Sequence, residues 1–318
     1  MTSFLHKKLI HNLYQRLKIR NNCSILLAIS CGQDSLCLLK LFIDLAKTNN
    51  LHLAIVHIDH QWRQDTTINT QHMVNLIKNI NLPSYLYQLH PRTYSEAEFR
   101  TMRYQIYLKT AQKYSFDIIA TAHTSSDKTE TCLMNMIQGG NIDTLNSLRW
   151  DRNIHKNINL IRPLLNFNRA EINWFCKYYA LPIWFDYTNI YYQCKRNRIR
   201  HELIPYLKQY YQTDIEKQIE LFLEKTSSDT DYLRQTTIKI YQSIKHPIYI
   251  AFNYKLLLQQ HKSMQLRVLQ LFFTHNTKIK YSYRILDTLL EKLREMQGTQ
   301  DIKNGLIIQT SKNWAYLI

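Results

Sequence analysis

The sequence predicts an α/β protein: a parallel sheet with helices on both faces, followed by a smaller, mostly helical C-terminal domain. Three observations lead there. Short apolar runs alternate with helix-period stretches through the first half. Polar signals gather where the apolar runs end. From about Ile204 the helical period takes over. Alternating strands and helices argue for parallel strands joined by crossover helices.

The elements follow in order. Phe4 to Leu17 is basic and amphipathic, with Leu5, Leu9, Leu13 and Leu17 at helical spacing. It could be read as a transit peptide, but a buried strand starts soon after, at Ile25, and a first helix of the fold is the better reading. Ile25 to Ile29 is the first strand, and Ser35 to Leu45 the next helix. Leu51 to Ile58 and Tyr85 to Leu89 read as strands on either side of a helix from Ile68 to Ile80. Ala97 to Lys113 is a long helix, and Asp117 to Ala122 a fourth strand. Helices then dominate over Ile215 to Glu224, Met264 to Phe273 and Tyr283 to Met296, and the chain ends in a strand pair around Leu306–Ile308 and Trp314–Ile318. The expected division is near Tyr210, giving domains 1–210 and 211–318.

The chain has 318 residues, 41 of them basic and 24 acidic, a net charge of +17. Such a field concentrates polyanions, which points to nucleic acid; a basic surface kept for solubility is the plainer alternative. Every apolar run is short and punctuated by charge, so no bilayer span is expected. The six cysteines form no CxxC pair, which argues against a zinc ribbon or an iron–sulfur site. With no signal peptide in view, a reducing compartment is expected.

In such sheets ligands bind beyond the carboxyl ends of the strands, and the polar segments lie there. Ser30-Cys31-Gly32-Gln33-Asp34-Ser35 follows a strand and opens a helix. A turn of that kind aims backbone N–H groups and the positive helix end at an anion. Ser30 and Ser35 add hydroxyl donors. Asp34 would repel bare phosphate, so its use there is to hold Mg²⁺ bridging phosphates. Glu96, Arg100 and Arg103 share one helix face, which fits either an ion-pair ladder or a functional row. Asp127 and Glu130 are three apart, so both can face the crevice from one helix turn. Such a pair suits Mg²⁺ or an ammonium group, although acidic residues at a helix N-terminus are stabilising anyway. Lys195, Arg196, Arg198 and Arg200 read as a phosphate-binding patch or a solvated face; the net charge and nearby Trp184, Tyr191 and Tyr192 favour RNA contact.

The string from Ser30 to Ser35 resembles the SGGxDS loop of PP-loop enzymes, which split ATP into AMP and pyrophosphate. It departs at Cys31, where that family has Gly; a positive φ there would strain a Cys. His57-Ile58-Asp59-His60-Gln61-Trp62-Arg63, the helix carrying Glu96, Arg100, Arg103 and Tyr104, and Ala122-His123 through Glu130-Thr131 are similar to motifs of the tRNA(Ile)-lysidine synthetase family, with Ser126 in place of an Asp. Arg162-Pro163-Leu164-Leu165, Arg169, Trp184, Asp186, Asn189 and Arg196 to His201 match that family's downstream string.

The resemblance implies a Rossmann-like PP-loop domain that joins lysine to C2 of the wobble cytidine of an isoleucine tRNA, using ATP and Mg²⁺. On that basis Asp34, His123, Asp127 and Glu130 are the catalytic candidates. Ser30, Cys31, Gly32, Gln33, Asp34, Ser35, His57 and Asp59 would hold the nucleotide, with Asp34 on the metal. Arg63, Arg100, Arg103, Arg196, Arg198 and Arg200 would hold substrate. The partners implied are isoleucine tRNA through its anticodon loop and free lysine, without a membrane, and a homodimer stays open. Two alternatives remain: another PP-loop tRNA-modifying enzyme, and a non-catalytic tRNA-binding relative, which Cys31 and Ser126 would favour. Richness in Ile, Asn, Lys and Tyr points to an A/T-rich genome, hence a plastid stroma if organelle-encoded and otherwise a bacterial cytoplasm.

Overall fold

The computed structural model describes residues 3–59, 66–89, 95–155, 157–184, 195–295, 299–303 and 306–318. Contacts divide the chain into two compact units, Met1–Leu223 and Glu224–Ile318.

The first unit is built on a six-stranded sheet. Its strands are β1 (Ser24–Ala28), β2 (His52–Asp59), β3 (Ser84–Gln88), β4 (Ile118–Thr121), β5 (Asp151–His155) and β6 (Ile158–Ile161). Their order is β3-β2-β1-β4-β6-β5. All pairings are parallel except β5 on β6, an antiparallel edge. The sequence did not disclose this hairpin, because β5 reads Asp-Arg-Asn-Ile-His, largely exposed, with no apolar alternation to detect.

Side chains along β1 go alternately to two buried faces, as a two-residue period requires. Ile25 and Leu27 pack with Leu5, Leu9, Leu36, Phe42, Ile172 and Phe175 on one face. Leu26 and Ala28 pack with Ala54, Val56, Ala111 and Ile119 on the other. Each fully buried Leu or Ile contributes about 1.5–3 kcal/mol of transfer free energy. The first face is covered by α1 (Phe4–His11), continued by a π-helical turn over Asn12–Arg16, by α2 (Gln33–Asn49) and by α7 (Arg169–Tyr178). The N-terminal helix is thus part of the core. Buried Asn12 also donates to the Pro163 carbonyl at 2.9 Å and to Asn166 at 2.7 Å. On the second face α4 (Glu96–Lys113) presents Tyr104, Tyr107, Leu108 and Ala111. The other helices of this unit are α3 (Thr66–Lys78), α5 (Ser125–Ile137), α6 (Ile142–Leu145), α8 (Lys195–Arg198), α9 (Ile204–Tyr210) and the start of α10 (Ile215–Ile244).

The compact division falls inside α10 rather than at Tyr210. Leu207 on α9 and Ile215 and Ile219 on α10 pack against Leu133, Ile199 and Ile204, so the first turns of α10 share the first unit's core.

The second unit contains the rest of α10, α11 (Tyr254–Leu258), α12 (Lys262–Thr277), α13 (Tyr283–Arg294) and an antiparallel sheet. Its strands are β7 (Ala251–Asn253), β8 (Thr299–Lys303), β9 (Leu306–Ser311) and β10 (Trp314–Leu317), in the order β7-β10-β9-β8. The expected terminal strand pair is the β9–β10 hairpin; β7 and β8 extend it. Leu286, Leu289, Leu290 and Leu293 give α13 a buried stripe against Phe252, Leu269 and Phe273. Among the described residues no helix is long and apolar enough to cross a membrane.

Candidate active site

Sheet register sets the geometry of the crevice. Ala28 pairs with Val56 on one side and Thr121 on the other, and Ala120 pairs with Ile161. The segments after β1, β2, β4 and β6 therefore emerge level with one another. Moving out from β1, the strands run to β2 and β3 on one side and to β4 and β6 on the other. That reversal of connection is where open α/β sheets leave a crevice for ligands.

The segment after β1 forms a hydroxyl-rich turn. Gly32 caps α2 in extended conformation (φ −74°, ψ 157°). Its N–H donates to Ser30 Oγ at 3.3 Å, and the Ser30 and Ser35 hydroxyls lie 2.9 Å apart. Outside contacts fix this turn: the Trp184 N–H donates to the Cys31 carbonyl at 3.0 Å, and the Cys176 thiol donates to the Gln33 carbonyl at 3.6 Å. Gln33 leaves its buried Nε2 without a hydrogen-bond partner among the described residues. Cys31 is not among the residues with positive φ, so the backbone strain expected for a Cys in place of Gly does not arise. Its side chain is instead packed into the core at 2% exposure, and burial pushes its thiol up to about 11.

Asp34 stands in the first turn of α2 with no hydrogen-bond or ion-pair partner among the described residues. Burial first, then the charge of Asp127, pushes its carboxyl up to about 6, against the pull of Arg169 and Arg200. On the β2 side, His57 Nδ1 lies 2.9 Å from the Ile29 carbonyl. A carbonyl only accepts, so Nδ1 carries the proton and Nε2 is left as an acceptor. Burial lowers the pKa of His57 and keeps the ring neutral. Asp59 closes β2 and is buried. Arg63, Asp186, Asn189, Tyr191 and Tyr192 lie outside the described residues.

On the β4 side, α5 begins with Thr124 as its cap. Asp127 Oδ2 accepts the Thr124 N–H at 2.9 Å, an arrangement typical of an N-terminal acid. Its other oxygen accepts from Arg196 at 2.7 Å. Glu130, whose side chain is fully buried, accepts from Arg196 Nε at 2.7 Å on Oε2 and from Arg200 on both oxygens. Arg196 is on α8, and Arg200 is in the π-helical turn Ile199–Leu203 that continues it. A π turn widens the residue spacing and is often found at functional sites. Burial alone would raise the pKa of Asp127; Arg196, the Thr124 N–H and Arg200 outweigh it and hold the carboxyl below its usual value.

These contacts engage the α5 pair within the chain. Both oxygens of Glu130 and one of Asp127 are spent on guanidinium groups, and among the described residues no group of three or more potential ligands is arranged to hold a metal. His123 is a weak base here. Its Nδ1 lies 2.9 Å from Thr121 Oγ1, and burial, joined by Arg162, Arg100 and Arg196, pushes its pKa down to about 3 against the charge of Asp127. Arg198 is not brought into the cluster; it is 64% exposed and pairs with Glu202 one turn on. Ser126 gives its hydroxyl to Glu216 at 3.0 Å, and Glu216 also accepts from Lys208 at 2.7 Å. The position where the family motif has Asp is thus used to fasten α5 to α10. Beside the cluster, Glu130, Thr131, Met134, Asn135, Gln138, Lys195 and Arg196 line a cleft of about 430 Å³.

Sequence reasoning missed two basic residues on the β6 side, Arg152 and the role of Arg162. Arg162 is 4% exposed, and its pKa is lowered by burial, with Arg100 and Arg152 adding to the effect. No periodicity marks a lone buried arginine, so only the sheet register brings it next to Thr121 and His123.

A family model described as a PP-loop domain matches residues 5–207. The chloroplastic tRNA(Ile)-lysidine synthase of Gracilaria tenuistipitata var. liui is 40% identical across 99% of this chain and 99% of its own. The chloroplastic enzyme of Pyropia yezoensis is 36% identical across 99% of this chain and 96% of its own. Among solved structures, the U34-tRNA thiolase of Methanococcus maripaludis superposes with a TM-score of 0.56 over 69% of this chain and 77% of that one; at 18% identity this supports the fold alone. With the PP-loop match over most of the first unit and relatives aligned end to end, the chain belongs to the tRNA(Ile)-lysidine synthase family.

Proposed function

We infer that this protein joins lysine to C2 of the wobble cytidine of an isoleucine tRNA at the expense of ATP. The cytidine O2 attacks the α-phosphate, forming an O–P bond and releasing pyrophosphate. The lysine side-chain amine then attacks C2, its proton is lost, and AMP leaves with the former O2. The observation that carries this is the meeting, at one reversal point of the sheet, of the hydroxyl-rich turn after β1 with the Arg196 and Arg200 guanidiniums, which Asp127 and Glu130 hold beside it.

The turn's N–H groups and hydroxyls fit a nucleotide's phosphates. Asp34 fits a Mg²⁺ ion by the chemistry of its donor: a hard oxygen ligand without a direct hydrogen-bond or ion-pair partner among the described residues, whose ionised form Arg169 and Arg200 compensate only in part. Bound there, the ion would neutralise charge on the phosphates. Arg200 is close enough to Asp34 to influence its ionisation, so the guanidiniums add positive potential where negative charge builds up. Asp127 and Glu130 act as the anchors that orient those arginines. The amine must reach C2 uncharged, and burial, by lowering the pKa of His123, disfavours that ring as the acceptor of its proton. His57, neutral and with Nε2 accepting, suits a donor on the nucleotide. The cytidine is splayed from its loop to enter the crevice, the usual manner in which single-stranded RNA is read.

Net charge supports the RNA substrate, and basic residues of the second unit, such as Lys245, Lys255 and Lys312, suit phosphate contacts that position without reading sequence. The chloroplastic relatives support a plastid stroma as the compartment. A non-catalytic role has lost its two supports: Cys31 sits in unstrained backbone, and Ser126 has a structural partner.

The test is mass analysis of nucleosides from isoleucine tRNA incubated with protein, ATP and lysine. A cytidine whose O2 is replaced by lysine is expected. A digest containing only unmodified cytidine, from folded protein that binds ATP, would refute the assignment.

A further inference from the structure

On the β6 side of His123, Arg100 and Arg162 meet at Tyr104, with Arg152 beside Arg162 and Arg103 farther along the helix of Arg100. Arg100 and Arg103 come from α4, Arg152 from the exposed edge strand β5, and Arg162 from the residue after β6. The Arg162 guanidinium hydrogen-bonds to Tyr104 and donates to the Arg149 carbonyl at 2.7 Å. Arg100 lies over the Tyr104 ring, 5.4 Å from its centroid. Arg100 and Arg152 are both close enough to Arg162 to disfavour its charge. Arg103 is one helical turn along from Arg100, over the Phe99 ring at 5.3 Å.

None of the four has an ion-pair partner among the described residues. In addition, the Nε atoms of Arg103 and Arg162 are buried without a hydrogen-bond acceptor among the described residues. Arg162 is more than nine-tenths buried, so its missing acceptor cannot be replaced by bulk water. A buried, unsatisfied donor on a charged group costs free energy, and neighbouring cations add repulsion. Arg196 and Arg200 show the contrast, since each is paired with Glu130 on α5. Among the described residues, then, these guanidiniums have no carboxylate, and an external anion would satisfy them.

We propose that Arg100, Arg103, Arg152 and Arg162 form a phosphodiester subsite that grips the RNA strand next to the reacting nucleotide, a role that presupposes the tRNA reaction above. One carboxylate is satisfied by a single bidentate arginine. Four guanidiniums from three elements, graded from exposed Arg100 and Arg152 to buried Arg162, suit successive phosphates along a strand. Arg162 acts through Tyr104 and Arg100, as a positioning residue; Arg100, Arg103 and Arg152 make the contacts.

The full-length protein and its Arg152→Gln and Arg103→Gln variants are compared, with the isoleucine anticodon stem-loop as the RNA probe. Arg152 is exposed, so its variant folds even where one at Arg162 fails. Dissociation constants are measured across a range of salt concentrations. Each variant is expected to bind roughly three- to tenfold more weakly at low salt, with a log–log salt slope shallower by about 0.7, one phosphate contact on a single strand. Unchanged slopes in both variants overturn the subsite. So does loss, in turnover, of the preference for lysine over cadaverine, because that outcome assigns the arginines to the amino acid's carboxylate. Wild-type lysidine formation in the same preparation reports separately on the reaction. Wild type that makes none, while the variant slopes still fall, sinks the reaction and leaves a phosphodiester site standing.

Discussion

Replacing Glu130 with Gln keeps the side chain's shape and removes one negative charge from a cluster of two arginines and two acids. The side chain is fully buried, and its oxygens accept from Arg196 at 2.7 Å and from Arg200. With charge centres about 4 Å apart, each pair is worth about 4 kcal/mol at an effective dielectric of 20. Desolvation offsets several kcal/mol per ion, so the intact cluster adds little net stability. Breaking it is different, because Arg196 and Arg200 then share Asp127 alone, and the new amide turns an N–H towards a guanidinium. Removing one member of a buried pair costs about 3–5 kcal/mol. The lower end applies here, since Arg196 and Arg200 are 31% and 19% exposed and regain water. About 3 kcal/mol in a unit of this size lowers Tm by about 6–12 °C. Scanning calorimetry should follow the transition of the first unit separately, as two units need not melt together. AMP formation should fall with it, because the guanidiniums lose their anchor. A drop below about 3 °C with normal AMP formation would refute both the energetic account and the anchoring role.

Two further outcomes follow from the same crevice. Cys31→Gly should destabilise the first unit by roughly 1–2 kcal/mol in urea unfolding, through a lost buried side chain and added chain entropy, since no strain exists to relieve; a gain in stability would restore the strained-loop view. Asp34→Asn should abolish AMP formation yet stabilise the fold at neutral pH. A carboxyl raised to about 6 in the folded state binds its proton more tightly than in the unfolded chain, so its ionisation weakens the fold as pH rises from about 4 to 6. The variant's advantage, on the order of 1–3 kcal/mol, should vanish below pH about 4, and an advantage that persists there would exclude this cause.

The central sheet was legible because its strands are short apolar runs bounded by turn residues, buried on both faces, as Ile25 to Ile29 shows. The site's first half was legible for a related reason: the Ser30–Ser35 turn is contiguous, and continuity is what a motif records. Its second half is assembled from side chains far apart in sequence. Arg196 and Arg200 read equally as a solvated face or a phosphate patch, and only the fold brings them to Glu130, whose sequence separation from each is large. Arg198, between them, has the same composition and spacing yet points to solvent and Glu202.

The comparison of Arg196 with Arg162 gives the clearest division of roles in the crevice. Both are guanidiniums near His123, and both disfavour its protonation. Arg196 has carboxylate partners within the chain, so its charge is already neutralised and it can shape potential near the turn without needing a ligand. Arg162 has a phenol, a carbonyl and an empty Nε, so its charge stays uncompensated inside the fold. His123 feels both sets, and burial first, then their positive charge, keeps it neutral. A neutral imidazole there adds no further positive charge to the guanidiniums on either side of it.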